Sequence, residues 1–376
     1  MTFVILACAA VLLQAYAGYP LSLIVLRLLL GDRSVHATRD GTPGVSLVIS
    51  AHNEGRVLRR KLENCLNLDY PADRLRIYVV SDGSTDDTDE IARAFSPRVE
   101  LRAFPGRHGK VACLNRVVPE LPTDLVVMSD ANSLYEPDSL RRLVRHFADE
   151  RIGCVCGELR YANRRRLAAG EGERVYWSYE GLIKRLESSL GSLLGANGAI
   201  YAYRTRLFRP VDPLMFCDDI IPIRIALAGF LTIYDTEAAC TEESVDEAVE
   251  MRRRKRHASF GLRSMLHAAG EAIRRGRFLI LYQCVSHRVL RWLGGAALAG
   301  MVLAAPFLPA PLSHLALAAL GVFFGAALAG FLTDRLGLRV APLYLCYYLL
   351  VIHVAGLAGL LAFLMQTDRP HWEPRQ

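Results

Sequence analysis

Along residues 45–130, short apolar runs alternate with charged stretches whose apolar residues recur at helical spacing. VSLVIS (45–50), LRIYVV (75–80), VELRAF (99–104) and DLVVMSD (124–130) have the length and β-branched content of strands. EGRVLRRKLENCLNL, a stretch from about Thr88 to Phe95, and GKVACLNRVV supply the segments between them. Strand and helix in turn predict an α/β fold with a mostly parallel central sheet, whose ligands gather at the carboxyl ends of the strands. Polar residues stand at such ends three times: His52-Asn53-Glu54, Asp82 and Asp130-Ala131-Asn132. Each alone reads as turn and cap chemistry. Together they would converge on one crevice.

Towards both ends of the chain the polar positions drop out. Thr2 to Leu26 carries no charge and, at ~1.5 Å per residue, is long enough to cross a ~30 Å hydrocarbon layer. Ala15-Tyr16-Ala17 has the form of a signal cleavage site, yet no Lys or Arg precedes the run and it continues past that point. An uncleaved transmembrane segment over residues 1–30 is expected. Arg27, Arg33 and Arg39 follow it, which puts that end and the polar middle of the chain in the cytoplasm. FLILYQCVSHRVLRWL (278–293) mixes apolar residues with His287, Arg288, Arg291 and Trp292 and reads as an interfacial helix. Residues 294–310, 314–332 and 342–366 are candidate spans within a C-terminal membrane region (294–366), followed by a tail (367–376). The charged turn from Asp334 to Arg339 belongs on the cytoplasmic side, so the tail emerges outside if 342–366 crosses fully, and a cytoplasmic tail requires that segment to be re-entrant or interfacial. The expectation is a multi-pass protein of the inner (plasma) membrane with a cytoplasmic domain over residues 44–262.

Composition agrees: 52% of the residues are hydrophobic, and they collect at the two ends. The net charge of +7 invites a nucleic-acid partner, but Lys occurs only at positions 61, 110, 184 and 255. The densest basic run, MRRRKRH (251–257), lies beside the membrane segments, where anionic headgroups or ligand phosphates are the expected partners and nucleic acid is not. Nine scattered cysteines, with Cys154-Val155-Cys156 lacking metal or redox spacing, read as free thiols.

Asp130 and Asn132 are two residues apart, so on an extended segment both side chains leave the same side. RHGK (107–110) adds Arg107, His108 and Lys110 beside a flexible glycine. A carboxylate-rich pocket with a lysine suits a diphosphate bridged by Mg²⁺ or Mn²⁺, ions that share oxygen ligands between protein and phosphate. Asn132 would then be a neutral amide ligand beside the charged Asp130.

In this order, SLVISAHNE, VVSDGSTDDT, GKVACLNR, MSDANS, GANGAIYAYR and CDDIIPIRIALAGF resemble the motifs of family 2 glycosyltransferases, the membrane-associated group that includes cellulose, hyaluronan and poly-N-acetylglucosamine synthases. The resemblance covers about residues 44–262. It implies an A-type glycosyltransferase (nucleotide-diphospho-sugar transferase) fold and an inverting, metal-dependent transfer from a nucleoside-diphosphate sugar. By it, Ala51, His52, Asn53, Glu54 and Asp82 would contact the nucleoside, and Lys110 would lie near the phosphates. Asp130 and Asn132 would hold metal and diphosphate, Asn197, Gly198 and Asp218 would line the acceptor side, and Asp219 would be the general base.

Two departures stand out. Asn132 replaces the second metal-motif aspartate, and Arg253-Arg254-Lys255-Arg256-His257 stands where processive synthases carry Gln-x-x-Arg-Trp. Arg256 keeps a diphosphate-facing cation, while the missing Trp removes a stacking surface for an acceptor sugar. Tyr176, Trp177 and Tyr179 are expected to pack against the core or to stack on a sugar, and Trp372 resembles a short tail motif of related synthases. The functional expectation is transfer to a lipid-linked or polysaccharide acceptor in exopolysaccharide or cell-envelope glycan synthesis. Its alternatives are a processive synthase with coupled translocation, and a non-catalytic nucleotide-sugar-binding subunit of a larger synthesis complex.

Overall fold

The computed structural model describes residues 1–34, 38–162, 171–243, 247–336, 338 and 340–366, with the side chains of 171–177 and 247–255 outside that description. The segment 163–170, Arg339, Trp372 and the side chains of Tyr176, Trp177 and Met251–Lys255 therefore lie outside the described residues.

Eight strands form one sheet: β1 (Val45–Ala51), β2 (Leu75–Asp82), β3 (Val99–Phe104), β4 (Leu125–Asp130), β5 (Leu134–Tyr135), β6 (Ile152–Tyr161), β7 (Tyr201–Arg204) and β8 (Leu231–Glu242). Their order is β3-β2-β1-β4-β7-β6-β8-β5. β1 to β4 run parallel to one another, β7 is antiparallel to both β4 and β6, and β6 and β8 are parallel. The chain moves from β1 outward to β3 and returns on the other side of β1 as β4, which makes the carboxyl end of β1 a topological switch point where a crevice must open.

The helices are α1 (Thr2–Leu13), α2 (Tyr19–Leu30), α3 (Gly55–Leu66), α4 (Thr88–Ala94), α5 (Lys110–Val117), α6 (Ser139–Val144), α7 (Glu171–Ser189), α8 (Cys217–Leu227), α9 (Glu247–Arg274), α10 (Phe278–Gln283), α11 (Leu290–Ala304), α12 (Leu312–Arg335) and α13 (Ala341–Met365). The central strands β1 and β4 are buried on both faces, which accounts for their nearly unbroken apolar runs. Val48, Val80 and Met128 pack on one side with residues of α5, α8 and α9, and Leu47, Ile49, Val79 and Val127 on the other with α3, α4 and α6. All nine cysteines are free.

Four helical rods have the length and apolarity of membrane spans: Thr2–Leu30, Phe278–Phe307, Leu312–Arg335 and Ala341–Met365. The first and second contain single π-helical segments, Gln14–Gly18 and Cys284–Val289, without interruption of the rod. Residues 278–293 and 294–310, expected as an interfacial helix and a separate span, are continuous from Phe278 to Phe307. The charges that suggested a surface helix are instead turned towards the domain, where α7 supplies carboxylates for Arg291 and His287. Trp292 lies against Gly261 of α9, where an added Cβ would stand 2.3 Å from its ring.

Candidate active site

Parallel pairing in register places Ser50 opposite Asp130 and Ala51 opposite Ser81, so the polar residues after β1, β2 and β4 meet at one end of the sheet. Ala51, His52, Asp82, Lys110, Cys113 and Asp130 line one cleft there.

Each of these residues is held by its neighbours. Asp82 accepts the backbone amides of His108 (2.7 Å) and Gly109 (2.9 Å), fixing the turn that launches α5 and its first residue, Lys110. The Cys113 thiol points at the same carboxylate, and burial together with Asp82 pushes that thiol up to about 12. His52 Nδ1 lies 2.7 Å from the Asp82 carbonyl. Asn53 adopts a positive φ of 54°, and its side-chain oxygen accepts the Thr85 amide at 2.7 Å, tying the turn after β1 to the turn after β2. The backbone amide of buried Glu54 donates to Thr88 Oγ1. Asp86 accepts the Thr88 hydroxyl and the amides of Gly55 and Thr88, so one carboxylate caps the first turns of α3 and α4; burial opposes its charge, but these bonds, the hydroxyl's first, outweigh it and lower its pKa.

The acidic centre follows. Lys110 Nζ donates to Asp130 Oδ1 at 3.0 Å and stands 3.8 Å from Asp218 Oδ2. Burial favours the neutral amine, yet the two carboxylates outweigh it and raise the Lys110 pKa, so the ammonium is held charged between them. Asp218 also accepts from Tyr201 Oη at 3.1 Å. Asp218 and Asp219 both lie in the first turn of α8, where the helix dipole favours negative charge. They diverge in direction: Asp218 faces Lys110, and Asp219, 9% exposed, faces Arg288 Nη2 at 3.8 Å. Burial raises the Asp219 pKa, Arg288 opposes the rise and Asp218 adds to it.

The loop 190–198 lines this acid pair. Asn197 is fixed by three bonds: its amide to Cys156 Sγ, its Nδ2 to the Gly157 carbonyl, and its Oδ1 from Lys184 Nζ at 2.5 Å. A Cβ on Gly198 would stand 2.5 Å from Asp218 Oδ2, and one on Gly195 would stand 2.7 Å from Asp219 Oδ1, so both glycines let the backbone approach the carboxylates. Asn132 is half-buried in the turn after β4. That turn is held by the fully buried Lys61, whose Nζ donates to the Ser133 carbonyl at 2.5 Å beneath the Tyr135 ring. Arg256 is half-buried on α9, and the next residue, His257, stacks at 4.5 Å on Phe216, which caps α8 ahead of the acid pair.

Among the described residues no group of three or more His, Cys, Asp or Glu side chains is arranged to hold a metal. Asp130 and Asn132 offer two oxygen-bearing side chains, a donor set suited to Mg²⁺ or Mn²⁺ completing its shell with substrate phosphate and water. Tyr179 packs rather than facing the cleft: its hydroxyl donates to the Tyr16 carbonyl and Arg291 lies over its ring. Sequence reasoning missed Lys61, Lys184, Tyr201, Gly195 and the pairing of Arg288 with Asp219. A larger cavity, about 550 Å³, opens at the amino ends of the strands beside Pro43 and Leu125. Three of its four lining arginines are already engaged, Arg204 by the Phe147, Asp149 and Ile152 carbonyls, Arg145 by Asp235 and Glu237, and Arg206 by Glu150.

Residues 46–211 match the family model described as Glycosyl transferase family 2. The chain carries a family 2 glycosyltransferase domain. Similar proteins include a poly-β-1,6-N-acetyl-D-glucosamine synthase of Staphylococcus epidermidis, 25% identical over 204 residues that cover 52% of this chain and 49% of that protein. A β-monoglucosyldiacylglycerol synthase of Nostoc sp. is 28% identical over 163 residues, 42% of this chain and 35% of that one. The chain thus spans about half, or less, of the length of these relatives. A mannosyltransferase from Pyrobaculum calidifontis, solved in complex with GDP-Man and Mn²⁺, matches 97% of this chain and 99% of its own with a TM-score of 0.71 at 22% identity, a likeness of fold. The glycosyltransferase domain and the four apolar rods are both within that match.

Proposed function

We propose that this protein is a membrane-bound, inverting glycosyltransferase that moves a sugar from a nucleoside-diphosphate sugar, on the cytoplasmic side, to a lipid-linked or polysaccharide acceptor. The observation that carries the reading is two adjacent carboxylates in separate surroundings: Asp218 shares the Lys110 ammonium with Asp130, and Asp219 stands apart beside Arg288. The nucleoside lies against Ala51, His52, Asn53, Glu54 and Asp82. Asp130 and Asn132, with the donor's own phosphates, would hold Mg²⁺ or Mn²⁺, which would supply positive charge to offset that of the leaving diphosphate. Lys110 and Arg256 add fixed positive charge on the same side.

The acceptor hydroxyl lies against Asn197, Gly198 and Asp218. Asp219 takes its proton as the oxygen bonds to the anomeric carbon, and the carbon–oxygen bond to the diphosphate breaks with its electron pair leaving on the phosphate. One displacement from the face opposite the leaving group inverts the anomeric configuration. The similarity to synthases named for a polysaccharide and for a glycolipid, together with the apolar rods, supports an acceptor presented at the bilayer.

The test is release of nucleoside diphosphate by the full-length protein in detergent, across UDP-, GDP- and TDP-sugars with Mg²⁺ or Mn²⁺ and a membrane lipid extract. Release with a particular donor, lost in Asp219→Asn, is expected. Tight donor binding without release under every condition would favour a binding subunit instead.

A further inference from the structure

The apolar rod Phe278–Phe307 is fastened to the glycosyltransferase domain by a buried polar network. His287 Nδ1 lies 2.6 Å from Glu187 Oε1, Tyr19 donates to the same oxygen at 2.6 Å, and Arg291 pairs with Glu180. The other oxygen of Glu187 accepts the Leu194 amide at 3.2 Å, which ties the network to the loop bearing Gly195, Asn197 and Gly198. Arg288 is held between these two anchored residues, and its guanidinium reaches Asp219 past Gly195, whose missing side chain leaves the gap: a Cβ there would stand 2.7 Å from Asp219 Oδ1 and 2.8 Å from Arg288 Nη2.

We propose that Arg288 is a positioning residue for the transfer reaction, which pairs with the Asp219 carboxylate and aims it at the acceptor, so that the acceptor side of the site is complete only when the membrane rod is docked. The inference rests on the reading of Asp219 as the base. The titratable and charged groups facing Asp219 are Asp218 from its own helix, Lys184 from α7, and Cys284, His287 and Arg288 from the rod. Lys184 is engaged with Asn197, and His287 with Glu187, which leaves Arg288 as the cation that reaches the carboxylate itself. Burial favours the protonated, inactive acid and Arg288 opposes it, so removing Arg288 moves the acidic limb of activity to higher pH.

The experiment measures kcat and donor KM for nucleoside diphosphate release between about pH 5 and pH 9. It uses full-length protein with the donor selected above and membrane lipid extract, comparing wild type, Arg288→Gln, Arg288→Lys, Gly195→Ala and Asp219→Asn. Arg288→Gln should move the acidic limb up by roughly one unit and lower kcat about tenfold near neutrality, with donor KM changed by less than about twofold. Arg288→Lys should restore most of the shift. Gly195→Ala keeps both charges but separates them and should move the limb the same way, and it decides the question if Arg288→Gln does not fold. An unmoved limb in these variants, or a loss expressed in donor KM alone, overturns the role of Arg288 while Asp219→Asn remains inactive. Full activity in Asp219→Asn overturns the base itself, and with it the inference.

Discussion

Asp218 and Asp219 show how much a single position decides. They share a helix turn, yet one faces a lysine held between two carboxylates and the other a guanidinium from a different part of the chain. Gly198 is the hinge of this division. Its Cβ would stand 2.5 Å from Asp218 Oδ2, so Gly198→Ala should push that carboxylate off Tyr201 and Lys110. The expected result is a stability loss of about 1–3 kcal/mol, read by chemical denaturation, and an about tenfold fall in acceptor-dependent transfer. Residues at the strand ends were legible in the sequence because an apolar run that stops at Asp82 or Asp130 changes character at a fixed point. Gly198 was assigned to the acceptor side only by resemblance and Gly195 was not singled out at all, since the reason for a glycine is the atom it makes room for. Lys61 was not legible at all: one lysine in an amphipathic helix carries no sign that it is fully buried.

Between elements, the contact that matters most is that of α7 with the rod formed by α10 and α11. Charges at His287, Arg288 and Arg291 interrupt an apolar run, and from sequence this resembles a helix lying at the bilayer surface. The carboxylates that pair with them, Glu180 and Glu187, lie about a hundred residues earlier, so periodicity within the run does not reveal where its charges go. Burial opposes the charge of Glu187, but His287 and Tyr19 outweigh it and lower its pKa. A carboxylate with a lowered folded pKa contributes stability that is fully present above its unfolded value, about 4.3, and is lost as pH falls through the folded value. Glu187→Gln should therefore destabilise the protein by about 3–5 kcal/mol at neutral pH, with the deficit closing on acidification below about pH 4. Thermal denaturation of both forms in detergent across that range checks the sign. A deficit that persists unchanged into acid would mean that packing, not charge, fastens the rod.

At the scale of the whole molecule, a family 2 glycosyltransferase domain is joined to four apolar rods, and one rod brings Arg288 to Asp219 while the strand ends bring Asp82 and Asp130 to the cleft. The alternating pattern announced this division of the chain, and the ordered motifs announced the domain. What they did not announce is that the two parts meet at Asp219. The claim on which the rest depends is that the crevice at the ends of β1, β2 and β4 binds a nucleoside diphosphate through a divalent ion. Calorimetric titration of UDP and GDP into the full-length protein, with Mn²⁺ and then with chelator, tests it most directly, with Asp130→Ala alongside. One nucleotide should bind in Mn²⁺ and lose at least about tenfold in affinity with chelator, and Asp130→Ala should abolish the metal effect. Equal binding with and without Mn²⁺ in both proteins would contradict the account.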